Sequence, residues 1–129
     1  MATYIMIVDD DKGLLTLVNL MLRRGGFSVL EAESSATALE LLKETVPDLF
    51  ILDVMMPDID GIELCLKLRA APQTAEKPVI MLSAFGDAKF VDQAMDAGAN
   101  AYLTKPITRQ DLLEEVGQLL SGSDSEIHH

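Results

Sequence analysis

The sequence has one cysteine, Cys65, and no tryptophan in 129 residues. A single thiol can neither close an internal disulfide nor build a multi-thiolate metal centre, so stability must come from a hydrophobic core. Bases are scarce: 10 Lys and Arg stand against 21 Asp and Glu, a formal charge of −11. A phosphate backbone repels such a surface, which argues against nucleic-acid binding by this chain alone. No apolar run approaches the roughly 18 residues of a bilayer span, and the opening MATYIMIVDDD lacks the basic start of a signal peptide. These absences leave the expectation of a cytoplasmic domain with no membrane partner.

What is present is ordinary globular usage, 49% hydrophobic and 24% charged, which excludes a disordered chain. Residues 4–8, 49–52 and 79–82 are unbroken apolar runs, as expected of strands covered on both faces. Residues 27–30 and 101–103 are weaker strand candidates. Between them lie helical stripes: Leu14, Leu17, Val18 and Met21; Leu39, Leu42 and Val46; Ile62, Cys65 and Leu66. Two more follow, Phe90, Val91, Ala94 and Met95, then Leu112, Leu113, Val116, Leu119 and Leu120. Gly25-Gly26, Pro47, the stretch 72–78 and Gly98 punctuate the helices, while Asp60 with Glu63 and Thr108 with Asp111 fit capping boxes. Strand and helix alternate about five times, which predicts a doubly wound α/β domain with a parallel sheet and helices on both faces. The domain is expected over residues 1–121. Residues 122–129 lose the periodicity and read as a polar tail or truncated linker, with His128-His129 a frayed end rather than a metal site.

Several acids do not fit a solvated helix face. Asp9, Asp10 and Asp11 follow the first apolar run directly, and Asp53 follows the third. Open parallel sheets bind ligands beyond the carboxyl ends of their strands, where the strand order reverses. If the first and third strands are neighbours, Asp9, Asp10 and Asp53 meet in one pocket. Their charges repel unless a cation neutralises them, and an all-oxygen set suits Mg²⁺. The alternative is that Asp10 or Asp11 caps the first helix and Asp53 starts a turn; spacing alone leaves both open. Ser83 and Lys105 stand at the ends of the fourth and fifth strand candidates, where a hydroxyl and an ammonium could meet phosphate oxygens.

Taken together, IMIVDDD, PDLFILDVMMPDIDG, VIMLSA and AYLTKP resemble, in order and spacing, the receiver domain of bacterial response regulators across residues 4–120. The resemblance implies a flavodoxin-like five-stranded sheet of order 2-1-3-4-5. It also implies phosphoryl transfer to an aspartate from a sensor histidine kinase or a phosphotransfer protein. Asp53 becomes the phosphoacceptor. Asp10 and Asp53 become Mg²⁺ ligands with the backbone carbonyl of Met55, and Asp9 holds a metal-bound water. Ser83 becomes the switch hydroxyl, Tyr102 the switch aromatic and Lys105 the phosphate partner, with Lys105-Pro106 a cis peptide. Asp11 has no ligand role and caps a helix. The implied readout is the surface of the fourth helix, fifth strand and fifth helix, around Lys89, Phe90 and Tyr102. It would act on a downstream protein or output domain, with a homodimer on phosphorylation left open. On this reading the domain accepts phosphate and is not an enzyme with an external substrate.

Rival chemistries meet specific obstacles. A phosphatase with an aspartate nucleophile needs a second Asp two residues on, where this chain has Met55. A calcium loop through Asp58 and Asp60, with Gly61 sixth, puts Lys67 at the twelfth position, where Glu is needed. A flavin site would set the cofactor phosphate against the acidic triplet. A receiver-like module that is never phosphorylated remains as the alternative. Cys65 and the seven methionines read as core packing. Met55 and Phe85, two past Asp53 and Ser83, are apolar and cannot orient an attacking water, so slow loss of phosphate is expected.

Overall fold

The computed structural model describes residues 2–56 and 59–121. Asp58 of the rejected calcium loop and the tail 122–129, with His128 and His129, lie outside the described residues. Five strands alternate with five helices: β1 Tyr4–Val8, α1 Lys12–Arg24, β2 Ser28–Ala32, α2 Ser35–Leu41, β3 Leu49–Asp53, α3 Gly61–Ala70, β4 Val79–Ser83, α4 Ala88–Asp96, β5 Ala101–Thr104 and α5 Arg109–Leu120. All pairings are parallel and the sheet runs β2-β1-β3-β4-β5. The order reverses at β1, with β3 as its other neighbour, so the loops after these two strands open into one crevice.

The strands alternate strictly between two cores. Met6, Val8, Phe50, Leu52, Val79 and Met81 point to one face and pack with Ala38, Leu64, Cys65, Leu68 and Ala94 of α2, α3 and α4. Ile5, Ile7, Leu49, Ile51, Ile80 and Leu82 point to the other and meet Leu15, Val18, Leu22, Leu112 and Val116 of α1 and α5. A strand buried on both sides leaves an unbroken apolar run in sequence, and for that reason β1, β3 and β4 are plain to read.

The helix starts follow local chemistry. Asp11 caps α1 by accepting from the Leu14 amide at 3.2 Å, Asp60 caps α3 through the Glu63 amide at 2.9 Å, and Thr108 caps α5 through the Asp111 amide at 3.1 Å. After α1 the chain turns at Gly26 with φ +96°, and after α4 at Gly98 with φ +107°, both in the left-handed region that glycine enters without a Cβ penalty.

The stripes need correction in detail. On α1 the buried row is Leu15, Val18 and Leu22, whereas Leu17 is exposed. On α3 it is Leu64, Cys65 and Leu68, and Leu66 is exposed; Val46 and Met95 also face solvent. Helices α1, α3 and α4 carry apolar residues on two adjacent rows, so periodicity names the helix without choosing the row that meets the sheet, whereas α2 ends at Leu41, short of Leu42 and Val46. Strand β2 sits one to two residues later than expected, and β3 and β4 each extend one residue to take in Asp53 and Ser83.

Candidate functional site

Register brings the acids together. Val8 pairs with Leu52 across β1 and β3, so the next residue on each strand line, Asp9 and Asp53, stands at the same height beyond the sheet. Asp53 itself pairs with Leu82, which places Ser83 one step further along β4, opposite Thr104 of β5. Lys105 follows, its amide donating to the Ser83 carbonyl at 2.7 Å, and the Lys105-Pro106 peptide is cis as expected. One carboxylate oxygen from each of Asp9, Asp10 and Asp53 lies within 4.8 Å of the other two. Asp10 is exposed while Asp9 and Asp53 are buried. Asp11 does not join them; it is the α1 cap.

Among the described residues, one cation pairs with this cluster. The Lys105 ammonium is 3.0 Å from Asp9 Oδ2 and 3.5 Å from Asp53 Oδ2, so its nearer partner is Asp9 rather than Asp53. The remaining oxygens meet backbone: Asp9 Oδ1 accepts from the Asp11 amide at 2.9 Å and Asp53 Oδ1 from the Met55 amide at 3.3 Å. Burial, then the charge of Asp9, pushes the Asp53 carboxyl up to about 6, against the lowering pull of Lys105 and the Met55 amide. For Lys105, burial disfavours the charge, but the Asp9 hydrogen bond and the carboxylates of Asp53 and Asp9 outweigh it and raise its pKa. The site therefore favours added positive charge at its acidic corner.

An all-oxygen donor set of three carboxylates, one of them exposed, fits a hard divalent cation such as Mg²⁺. The raised Asp53 carboxyl points the same way, because a bound cation would offset both the burial of the Asp53 charge and its repulsion by Asp9.

The other expected residues form a second line behind the acids. Ser83 is fully buried, and its Oγ accepts from the Phe85 amide at 3.1 Å. The Phe85 carbonyl in turn accepts from the Tyr102 hydroxyl. Tyr102 is half-buried and packs against the core on the α2–α3–α4 face. Met55 and Phe85 are both largely exposed, and the Phe85 ring lies 5.4 Å from that of Phe90 on α4.

Two neighbours were not singled out for this site from sequence. A Cβ on Gly61 would stand 2.1 Å from the Asp53 carbonyl oxygen, and the Gly61 amide donates to the Val54 carbonyl at 2.9 Å. Only glycine allows α3 to begin that close to the Asp53 backbone; a glycine placed first in a helix, right after its cap, was the available signal. Ser35, fully buried on α2, donates to the Ile59 carbonyl at 2.6 Å. Nothing in the local sequence marks that contact.

Known proteins match this chain along most of its length. The family model for the response regulator receiver domain matches residues 5–117. The DNA-binding dual master transcriptional regulator RpaA of Synechocystis is 38% identical over 120 residues, covering 93% of this chain and 50% of the relative. The phosphate regulon transcriptional regulatory protein PhoB of Rhizobium meliloti is 36% identical over 123 residues, covering 95% and 54%. The chain thus spans about half the length of the curated relatives it matches. A receiver domain protein of Methanospirillum hungatei superposes with a TM-score of 0.89 at 28% identity, covering 98% of this chain and 99% of that one. The receiver domain of a sensor histidine kinase from Pseudomonas aeruginosa, solved with magnesium in its active-site cleft, gives 0.86 at 25% identity, covering 94% and 99%.

Proposed function

Since this chain belongs to the response regulator receiver domain family, the signalling module of two-component systems, we propose that Asp53 is its phosphoacceptor and that residues 1–121 are the receiver unit. The observation that carries this is the meeting of Asp9, Asp10, Asp53 and Lys105, drawn from the ends of three different strands. The donor is a phosphohistidine on a sensor kinase or phosphotransfer protein. An Asp53 carboxylate oxygen attacks phosphorus in line as the phosphorus–nitrogen bond breaks and its electron pair returns to the imidazole, leaving an acyl phosphate. Asp10, Asp53 and the Met55 carbonyl would hold Mg²⁺, with Asp9 on a metal-bound water; when bound, the cation neutralises charge on the transferring group. Lys105 supplies the second positive charge from the β5 side, already drawn toward Asp53.

The new phosphate then attracts the Ser83 hydroxyl. Ser83 Oγ also receives the Phe85 amide, and the Phe85 carbonyl holds Tyr102, so movement of Ser83 shifts the anchor of Tyr102. This relay alters the surface formed by α4, β5 and α5 by shifting populations between two arrangements. A downstream protein or an output domain reads that surface. Among the described residues no helix is long and apolar enough to cross a membrane, in keeping with a cytoplasmic signalling role. Incubation with acetyl phosphate and Mg²⁺, followed by intact mass measurement, tests the assignment. One phosphate adduct on the wild type and none on Asp53→Asn is expected; an adduct on both, or on neither, defeats it.

A further inference from the structure

Between Asp53 and α3 the described residues 54–56 and 59–60 include Met55 beside the carboxylates, and three anchors hold them. The neck is closed by the Gly61 amide on the Val54 carbonyl at 2.9 Å. Met56 packs against the core between the sheet and α2–α4. The third anchor comes from 24 residues away: Ser35 Oγ donates to the Ile59 carbonyl at 2.6 Å, from a side chain with no solvent exposure. Helix capping does not explain that hydroxyl. Ser34 already caps α2, its Oγ accepting from the Thr37 amide at 3.1 Å, and Ser35 is the next residue along. A buried hydroxyl is costly unless it is bonded, so Ser35 is committed to Ile59.

We propose that Ser35 is a positioning residue for the divalent-cation site, fixing from α2 the 59–61 backbone whose bond to Val54 steadies Met55. Ser35 touches none of the carboxylates in the hydrogen bonds described, and acts through residues 59–61 and the Gly61–Val54 hydrogen bond. This rests on the reading that Asp53 and its neighbours bind Mg²⁺. Outer partners of metal ligands commonly contribute 10- to 100-fold in affinity. With the neck at Gly61 intact, removing the Ser35 hydroxyl is expected to raise the Mg²⁺ dissociation constant roughly 10- to 20-fold, at the lower end of that range.

The test compares the full chain as wild type, Ser35→Ala, Ser35→Cys and Thr74→Val. Thr74 is a matched control: its buried Oγ1 donates to the Leu68 carbonyl at 2.6 Å, at the far end of α3. Mg²⁺ is titrated by amide NMR shifts, and hydrogen exchange at the Met55, Ile59 and Gly61 amides is followed in a chelator. Ser35→Ala should weaken Mg²⁺ binding and speed exchange at these amides. Ser35→Cys, a weak donor of similar size, should fall between, and it carries the test if the alanine variant fails to fold. Thr74→Val should lower the thermal midpoint while leaving both readouts at wild-type values. Ser35 variants with wild-type Mg²⁺ affinity and exchange, or a Thr74 variant that shifts both equally, would overturn the assignment. A wild type with no saturable Mg²⁺ response would instead sink the cation reading beneath it.

Discussion

The two edges of the sheet settle their charges in opposite ways. At the carboxyl edge, one ammonium faces Asp9 and Asp53, with Asp10 beside them, and the Asp53 carboxyl is left at about 6 by burial and by Asp9. At the amino edge of β4 and β5, the acceptors of the Arg69 guanidinium among the described residues are all neutral. It donates to the carbonyls of Gly98, Lys77, Ala75 and Thr74 and to Asn100 Oδ1, at 2.7 to 3.3 Å. Asn100 in turn exchanges two hydrogen bonds of 2.8 Å with Val79. One edge is complete by itself, whereas the other holds more carboxylates than its ammonium balances and would gain from a bound cation. Among the described residues, the buried carboxylates, Asp9 and Asp53, both lie where a cation from outside can resolve their charge.

The sharpest way to break this contrast is at the complete edge. Arg69→Ala would leave four carbonyls and an amide oxygen without their shared donor, joining α3, the 74–77 turns and the α4–β5 connection less firmly. At about 1 kcal/mol net per hydrogen bond, reduced because several carbonyls can take up water, the expected loss is ~3 kcal/mol. For a domain of this size that is a fall of roughly 10 °C in Tm. Arg69→Lys should restore less than half, since an ammonium cannot span acceptors that a planar fork reaches together. Phosphoryl acceptance per folded molecule should not change. Chemical denaturation of the three proteins decides it, and a loss below 0.5 kcal/mol would remove Arg69 from the structural side of the comparison.

The incomplete edge should behave in the reverse sense. Folding raises the Asp53 carboxyl from 3.8 to about 6, so between these values the folded chain holds a proton that the unfolded chain releases. Stability therefore falls as pH rises through that window, and the cost is fully present above about pH 6. At roughly 1.4 kcal/mol per pH unit it approaches ~3 kcal/mol, offset in part in any neutral variant by the lost attraction of Lys105. In a chelating buffer, Asp53→Asn is expected to be about 2 kcal/mol more stable than the wild type at pH 8, and equal to it near pH 3.5. Mg²⁺ should narrow the gap by binding the wild type more tightly than the variant. Urea denaturation at the two pH values checks this; an asparagine variant less stable at pH 8 would mean the acids are not in conflict.

The same contrast governs what could be read from sequence. The acids were legible because each follows a strand that is buried on both faces, and such a strand announces itself as an unbroken apolar run. Register then does the gathering, Val8 against Leu52 and Asp53 against Leu82, once the strand order is known. The order itself, and the roles expected of Tyr102 and the Met55 carbonyl, came with the family resemblance. Arg69 and Ser35 stayed hidden for a common reason: their partners are main-chain carbonyls, Gly98 and Ile59 among them, and no residue type marks a carbonyl as an acceptor. Leu17, Leu66 and Met95 misled because an apolar residue beside the buried row looks the same in a periodic pattern as one within it.

The smallest expected effect lies at the rim of the incomplete edge. Met55 is 50% exposed and Phe85 is 44% exposed, two large apolar side chains held in water beside a polar pocket. Neither can accept a hydrogen bond from a water approaching phosphorus, and both can cover the acyl phosphate once it forms. The Phe85 backbone is fixed at both its amide, by Ser83, and its carbonyl, by Tyr102, so its ring is presented from a held position. Replacing Met55 with Asn and Phe85 with Glu together should speed phosphate loss about 3- to 10-fold, equivalent to roughly 1 kcal/mol in the barrier. Folding should change little, since neither side chain belongs to the buried core. Decay of the phosphorylated chain after removal of acetyl phosphate, followed by intact mass, measures the rate. A rate equal to or below that of the wild type would show that the rim does not restrict water, and that the phosphate's lifetime is set among Asp9, Asp53 and Lys105 alone.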